Sequence, residues 1–139
     1  MTVIPPEVLN VLLIDDDPAD RLLAEEAFAA QDSPVHVAIC EDGPSALAHL
    51  RAHPLPHVVI LDLNMPRMSG FDVIREIRAA ERTRHLPVVI LSTSDNAQDV
   101  ARAYDLLASS YMVKSRDFPG FVQQLDHFVR FWHDCRFRQ

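Results

Sequence analysis

The sequence predicts a doubly wound α/β domain, a (βα)5 fold whose single five-stranded parallel sheet has helices on both faces. Five short apolar runs recur along the chain, and four of them are nearly continuous stretches rich in valine, isoleucine and leucine. Such runs are typical of strands that are buried on both faces of a parallel sheet. A segment with the apolar spacing of a helix follows each run, so strand and helix alternate five times.

The apolar runs define the strands. Residues that favour the N-terminal ends of helices indicate where the helices begin. Asp17 can cap the first helix, and Pro18 suits its first position. The second helix begins near Asp42, the third follows Gly70, and the fifth and longest has Pro119 in its first turn. The predicted strands are Val11–Ile14, Val35–Cys40, Val58–Leu61, Val88–Leu91 and Tyr111–Val113. The apolar side chains predicted to line the helices are Ala19, Leu22, Leu23, Ala27, Leu47, Leu50, Phe71, Ile74, Ile77, Val100, Tyr104, Leu107, Phe121, Val122, Leu125, Phe128, Val129 and Trp132.

Length and charge restrict the possible functions. The 139 residues suit a single domain over 1–139, with a core at about 8–131, a C-terminal aromatic extension over 132–139 and no output domain. The net charge of −7 and the pI of about 5.4 argue against nucleic-acid partners and a polybasic membrane anchor. The sequence has no signal-peptide pattern, no membrane-length apolar stretch and no CxxC pair, so we expect a reduced, cytoplasmic protein.

Polar side chains follow four of the five predicted strands. Asp15 and Asp16 follow the first strand, Asp62 the third, Ser92 the fourth and Lys114 the fifth. Lysine occurs only once in the chain, against twelve arginines. Because ligands bind at the carboxyl ends of the strands in such sheets, we expect these side chains to meet at one edge.

The chemistry of this set indicates a metal-assisted phosphoryl site. Clustered carboxylates repel one another unless a cation neutralises them, and Mg²⁺ takes oxygen ligands from a few carboxylates, water and phosphate. An ammonium and a hydroxyl can contact phosphoryl oxygens, and an aspartate beside the metal can itself be the nucleophile. Catalysis of such a transfer consists mostly of positioning and charge neutralisation.

These residues resemble the receiver domain of two-component response regulators, over about residues 8–131. The resemblance implies a flavodoxin-like receiver fold, phosphorylation by a sensor histidine kinase and output through protein–protein contacts rather than enzymatic turnover of a substrate. The residues that carry it are Asp15-Asp16, Val58 to Pro66 followed by Gly70, Ser92 after Leu91, and Lys114.

The resemblance also implies a role for each site residue. Asp62 accepts the phosphoryl group, and Asp15 and Asp16 hold Mg²⁺, for which Mn²⁺ can substitute, together with Asp62 and the backbone carbonyl of Asn64. Lys114 pairs with a phosphate oxygen.

Ser92 and Tyr111 form the conformational switch in this resemblance. Ser92 donates to another phosphate oxygen, and Tyr111 is the aromatic residue that rotates when phosphorylation occurs. The side chains of Asn64 and Ser94 tune how fast the phosphate is lost.

A more specific resemblance is to the small stand-alone regulators that pair with bacterial phytochrome kinases and often dimerise. It lies in the sequence around the fourth helix, and it implies a phytochrome kinase as partner. The residues that carry it are Leu91 to Ser94, Asp99-Val100, Ala103-Tyr104 and Ser110-Tyr111.

Two alternatives remain open at this stage. The first is an aspartyl-phosphate phosphatase of the haloacid-dehalogenase type, which also has an aspartate nucleophile after an apolar strand. That class, however, has its nucleophile on the first strand and a second aspartate two residues later, where this chain has Asn64. The second alternative is a pseudo-receiver that only binds partners, although such proteins usually lose residues that this chain retains.

Aromatic residues on the last helix predict a homodimer. Phe128, Phe131, Trp132 and Phe137 lie on more than one face, so some would be exposed in a monomer.

Three further expectations concern a helix cap, a histidine pair and a peptide bond. Asp95 is the expected cap of the fourth helix. His49 and His53 have metal-ligand spacing without a third ligand, so we do not expect a metal there. Ser115 follows Lys114 where the family usually has a cis-proline, and we expect a trans bond because a cis bond before another residue costs about 2.5–4 kcal/mol.

Overall fold

The structure of the protein, a computed structural model, describes residues 7–137. It contains a five-stranded parallel sheet with the strand order β2-β1-β3-β4-β5 and five helices between and after the strands. The predicted (βα)5 fold is therefore confirmed. The elements are β1 (Leu9–Ile14), α1 (Pro18–Ala29), β2 (Val35–Cys40), α2 (Gly43–Ala52), β3 (Val58–Leu61), α3 (Gly70–Ala79), β4 (Val88–Ser92), α4 (Ala97–Asp105), β5 (Ser110–Val113) and α5 (Phe118–Phe137).

Alternation along the buried strands divides the core into two layers, one on each face of the sheet. On one face, residues such as Leu12 and Ile14 pack against α2, α3 and α4. On the other face, Leu13 and Ile60 pack against α1 and α5. Helices are needed on both faces because each buried strand carries apolar side chains on both faces of the sheet.

The strand register brings the carboxyl ends of the strands together. Ile14 pairs with both Cys40 and Leu61, and β4 ends where Ser92 pairs with Val113. The residues directly after β1, β3 and β5 therefore lie at one edge of the sheet.

Side-chain caps fix where four of the helices begin. Asp17 accepts hydrogen bonds from the backbone of α1, Asp42 caps α2, and Ser69 forms a capping box with Asp72 at α3. The cap of α4 is Asn96, whose side chain accepts from the backbone N–H of Gln98 at 2.7 Å. The prediction of Asp95 is therefore wrong by one residue.

Two predicted helix faces were partly wrong: of the residues predicted on them, Ala27 is buried as expected, but the larger side chains are not. In α1 the buried residues are Ala24, Ala27 and Phe28, whereas Leu22 is 57% exposed. In α4 only Ala103 is buried, and Tyr104 is exposed.

Leu107 does not belong to the apolar face of α4. It follows the end of the helix with a left-handed φ of 63° and is 69% exposed.

Across the described residues, none of the helices is both long and apolar enough to cross a membrane.

Candidate functional site

Three aspartates converge at the carboxyl edge of the sheet. Asp15, Asp16 and Asp62 each offer a carboxylate oxygen, and these oxygens all lie within 4.8 Å of one another. The backbone of Asp62 is fixed next to β1, because its N–H donates to the carbonyl of Ile14 at 3.0 Å. Asp15 is anchored similarly by its N–H, which donates to the carbonyl of Cys40 at 3.1 Å. Strand pairing therefore creates the cluster.

Burial makes this cluster a poor place for uncompensated negative charge. Burial raises the pKa of Asp15 above its ordinary value, and a backbone hydrogen bond from Asp17 opposes the rise only in part. Burial raises the pKa of Asp62 to about 6, and the negative charges of Asp15 and Asp16 also favour its protonated form. A hard divalent cation would relieve both effects, so the donor set fits Mg²⁺.

The loop after β3 is shaped around Asp62. The N–H of Asn64 donates to Oδ1 of Asp62 at 3.2 Å, which holds the carboxylate towards the edge. The N–H of Gly70 donates to the carbonyl of Leu63 at 3.1 Å. A Cβ at Gly70 would collide with the carbonyl of Asp62 and lie only 2.7 Å from Cα of Leu63. Glycine is therefore required where α3 begins.

The predicted switch residues belong to one hydrogen-bond network. Ser92 is fully buried, and its Oγ accepts from the N–H of Ser94 at 3.1 Å and from Nδ2 of Asn64 at 3.5 Å. The Tyr111 hydroxyl donates to the carbonyl of Ser94 at 2.8 Å, and Oγ of Ser94 donates to Asp99 at 2.8 Å. The structure thus links Ser92, Tyr111 and both predicted tuning residues, Asn64 and Ser94.

Lys114 lies at the same edge, with its side chain only 11% exposed. Its Nζ is 3.4 Å from Oδ2 of Asp15 and 2.9 Å from Oδ2 of Asp20. Burial alone would lower the pKa of Lys114, but the hydrogen bond to Asp20 and the charges of Asp15, Asp20 and Asp62 together raise it. The lysine is therefore a firmly protonated cation among carboxylates.

Sequence reasoning missed Asp20. It lies in the first turn of α1, three residues after the cap Asp17, and so close to the same edge. That spacing was an available signal, since the first turn of a helix that follows β1 must begin near the site.

The peptide bond between Lys114 and Ser115 is trans, as predicted, because the described residues contain no cis bond. One backbone bond and one bond to a side chain hold this loop. The N–H of Lys114 donates to the carbonyl of Ser92 at 2.7 Å, and the N–H of Ser115 donates to Oε1 of Gln124 at 2.9 Å. Gln124 also donates to the carbonyl of Val113 at 2.6 Å, so α5 clamps the end of β5.

The candidate dimer residues differ in exposure. Phe128 is 4% exposed and belongs to the core, so little of its side chain is available for a contact. Phe131 is 60% exposed, and Trp132 is half-buried beside it with their rings edge to face at 5.3 Å. Phe137 packs partly against the core, and its ring meets that of His57 at 5.3 Å. Residues 138 and 139 of the predicted extension lie outside the described residues.

The remaining candidates stay outside the site. The rings of His49 and His53 stack at 4.2 Å, but among the described residues only the three aspartates form a cluster of three or more potential metal ligands.

Residues 11–126 match the response regulator receiver domain family. The chain therefore belongs to that family. Its (βα)5 fold, with a metal-binding carboxylate cluster beside a lysine, defines the same class of protein. The predicted class of protein is confirmed. The haloacid-dehalogenase alternative is not favoured, since Asp62 follows the third strand and not the first.

Individual relatives show which members of the family this chain resembles. The response regulator Rcp1 of Synechocystis sp. is 33% identical over 134 residues, which cover 92% of this chain and 90% of Rcp1. The crystal structure of the phosphorylated cyanobacterial phytochrome response regulator RcpA superposes with a TM-score of 0.86 at 32% identity, covering 93% of this chain and 96% of RcpA. The Mn²⁺-bound form of Rcp1 superposes with a TM-score of 0.80 at 32% identity, covering 88% and 93%.

These relatives bear on two predictions. The resemblance to phytochrome-associated regulators is confirmed, because RcpA is a cyanobacterial phytochrome response regulator and this chain covers 96% of it. The cofactor prediction of Mg²⁺, with Mn²⁺ as substitute, is confirmed by the acidic cluster and by the Mn²⁺-bound relative.

Proposed function

We propose that this response regulator accepts a phosphoryl group on Asp62 from a phosphohistidine of a sensor kinase. The observation that carries the proposal is the position of Asp62, whose carboxylate lies within 4.8 Å of those of Asp15 and Asp16 at the edge that also holds Lys114. A carboxylate oxygen of Asp62 attacks phosphorus, and the bond between phosphorus and the histidine nitrogen breaks. The electron pair leaves with the imidazole, which then takes up a proton.

Charge neutralisation makes this transfer possible at a site that is already acidic. Asp15 and Asp16, with Asp62 and the carbonyl of Asn64, would hold Mg²⁺, which supplies positive charge to the transferring phosphoryl group. The ammonium of Lys114 contacts one phosphoryl oxygen. Within residues 7–137, Lys114 is the cation that forms an ion pair with a member of this cluster, Asp15.

Signal output begins at Ser92. Its hydroxyl moves to donate to a phosphoryl oxygen, and it then ceases to accept from the N–H of Ser94. Ser94 is also the residue to which the Tyr111 hydroxyl donates, so the β4–α4 loop and Tyr111 respond together. Asn64 and Ser94 flank the phosphoryl group and set how fast water removes it; self-phosphorylation and self-dephosphorylation are the only reactions of the domain.

The kinase partner is a bacterial phytochrome histidine kinase. The support is the similarity to RcpA, a cyanobacterial phytochrome response regulator, over almost the full length of both chains. The signal leaves through protein–protein contacts of the receiver domain, in the cytoplasm. The net charge of −7 supports protein partners over nucleic acid or an anionic membrane.

A homodimer through α5 is part of the proposal. Phe131 is exposed next to a groove of about 360 Å³ between β5 and α5, which Met112, Phe128 and Trp132 line. Exposed aromatic surface beside an apolar groove is typical of a protein–protein contact.

Labelling with a small phosphodonor tests the proposal. Mg²⁺ with acetyl phosphate is expected to add one phosphoryl group to the wild-type protein, observed by intact-mass spectrometry, and none to Asp62→Asn. Asp126→Asn is the matched control, because Asp126 forms a surface ion pair with Arg130 and its substitution removes the same charge. Persistent labelling of Asp62→Asn would remove Asp62 from its role. Failure of the wild-type protein to bind Mg²⁺ would favour a pseudo-receiver.

A further inference from the structure

Asp20 is the shortest-range ion-pair partner of the only lysine in the chain. Its Oδ2 lies 2.9 Å from Nζ of Lys114, against 3.4 Å for Oδ2 of Asp15. The side chains of Lys114 and Asp20 are 11% and 32% exposed, so the pair is partly shielded from water. A charge-assisted hydrogen bond in such surroundings is stronger than one on an open surface.

Asp20 is separate from the metal-binding carboxylates. The cluster whose oxygens converge within 4.8 Å consists of Asp15, Asp16 and Asp62. The start of α1 fixes the backbone of Asp20, whose N–H lies 3.4 Å from Oδ1 of the cap Asp17. Its carboxylate therefore contacts Lys114 and is not a member of the carboxylate cluster.

The resting position of Lys114 is set by α1 and β1. In the described part of the chain, its ion pairs are with Asp15 and Asp20, and Asp62 is not among them. Both partners lie on the β1–α1 side of the edge, whereas the phosphoryl acceptor lies after β3. Lys114 must therefore change partners, at least in part, to reach a phosphoryl group on Asp62.

We propose that Asp20 is a positioning residue that holds the ammonium of Lys114 away from the acceptor Asp62 until a phosphoryl group competes for it. The inference rests on the proposed function, in which Lys114 contacts a phosphoryl oxygen. Because Asp20 and the phosphoryl group compete for one ammonium, Asp20 lowers the affinity of the site for a phosphoryl group. Asp20 thereby raises the threshold for activation without touching the reacting atoms.

A phosphoryl mimic measures this competition. Beryllofluoride is titrated with Mg²⁺ into the wild-type protein, Asp20→Asn and the charge-matched control Asp126→Asn, with intrinsic fluorescence as the readout. Asp20→Asn is expected to bind about threefold to tenfold more tightly, because one competing charge-assisted hydrogen bond has been weakened. Asp126→Asn is expected to bind as the wild-type protein does, and Asp20→Glu, which keeps a carboxylate, is expected to recover most of the wild-type affinity.

A second measurement reports on the lysine itself. Since Lys114 is the only lysine, ¹⁵N labelling of the lysine Nζ gives a single ammonium signal in NMR spectra. At one fixed pH, that signal is expected to shift in Asp20→Asn relative to the wild-type protein and Asp126→Asn, because the short hydrogen bond between the ammonium and Asp20 is weakened.

The two measurements separate the inference from the proposed function. If the wild-type protein does not bind beryllofluoride, the proposed function fails, and the ammonium signal still decides whether Asp20 holds Lys114. Equal or weaker binding by folded Asp20→Asn, or an ammonium signal that does not shift, would overturn the positioning role.

Discussion

The hydroxyl of Tyr111 and the backbone carbonyl of Ser94 are joined by a 2.8 Å hydrogen bond. Ser94 also donates its N–H to the buried hydroxyl of Ser92 at 3.1 Å. One loop residue therefore contacts both members of the predicted switch. Because Ser94 holds Ser92 by its amide and Tyr111 by its carbonyl, a displacement of this loop acts on both residues at once.

Tyr111→Phe is expected to lower the free energy of unfolding by about 0.5–1.5 kcal/mol, since one hydrogen bond is lost and the ring remains. The loss is expected to be smaller with Mg²⁺ and beryllofluoride, because the switched state no longer makes this bond. Urea denaturation with and without the mimic measures both values. Tyr104→Phe is the control, since Tyr104 is 47% exposed. An equal loss in both states would show that Tyr111 does not move with the switch.

Asp62→Asn is expected to stabilise the protein at neutral pH in the absence of Mg²⁺. The folded-state pKa of Asp62 is raised from 3.8 to about 6, so folding binds protons between these values and the wild-type stability falls as the pH rises through that window. The gain from the substitution is therefore absent below about pH 3.8 and complete above about pH 6. Its size is about 1–2 kcal/mol, after allowance for partial exposure of the carboxylate.

Urea denaturation of both proteins at a series of pH values measures the difference. Saturating Mg²⁺ provides the control, because the cation neutralises the cluster and should remove the advantage of the variant. A gain that persists at pH 3.5, or one that Mg²⁺ does not reduce, would contradict the electrostatic explanation.

The strand ends of the site could be predicted from sequence, because buried strands leave a distinctive apolar run and the residue after each run is unambiguous. Asp15, Asp62, Ser92 and Lys114 were located in this way. The cap at Asp17 locates Asp20 near this edge, but its bond with Lys114 depends on the direction in which the first turn of α1 points its side chains, so the bond itself could not be predicted. The cap of α4 is Asn96, one residue after the predicted Asp95. Sequence could not decide between them, because asparagine and aspartate both cap helices well.

The prediction of which residues of α1 are buried was wrong for a different reason. Hydrophobicity favours Leu22 as a core residue, but the contact with the sheet is made by Ala24, Ala27 and Phe28. Sequence periodicity alone does not distinguish that face from the neighbouring one.

Gly70→Ala is expected to destabilise the protein by about 1–3 kcal/mol, because the new methyl group would overlap the backbone of Asp62 and Leu63. Backbone atoms cannot move aside without displacing the acceptor loop, so phosphorylation by acetyl phosphate should also slow. Gly120→Ala is the matched control. Its methyl group would meet the hydroxyl of Ser115 and a carboxylate oxygen of Asp117, which are ends of side chains that can rotate. Similar losses for both variants would refute the requirement at Gly70.

Phe131→Glu is expected to convert the proposed dimer to a monomer without loss of fold stability. Phe131 is 60% exposed, so a charge there costs little in the monomer, but in a contact through α5 it would be buried without a partner. Light scattering after size-exclusion chromatography measures the mass, with and without Mg²⁺ and beryllofluoride. Leu22→Glu is the control, because Leu22 is 57% exposed on α1 and should leave an α5 dimer intact. A wild-type protein that is monomeric in both conditions would end the dimer proposal, and a dimer that survives Phe131→Glu would place the contact on another surface.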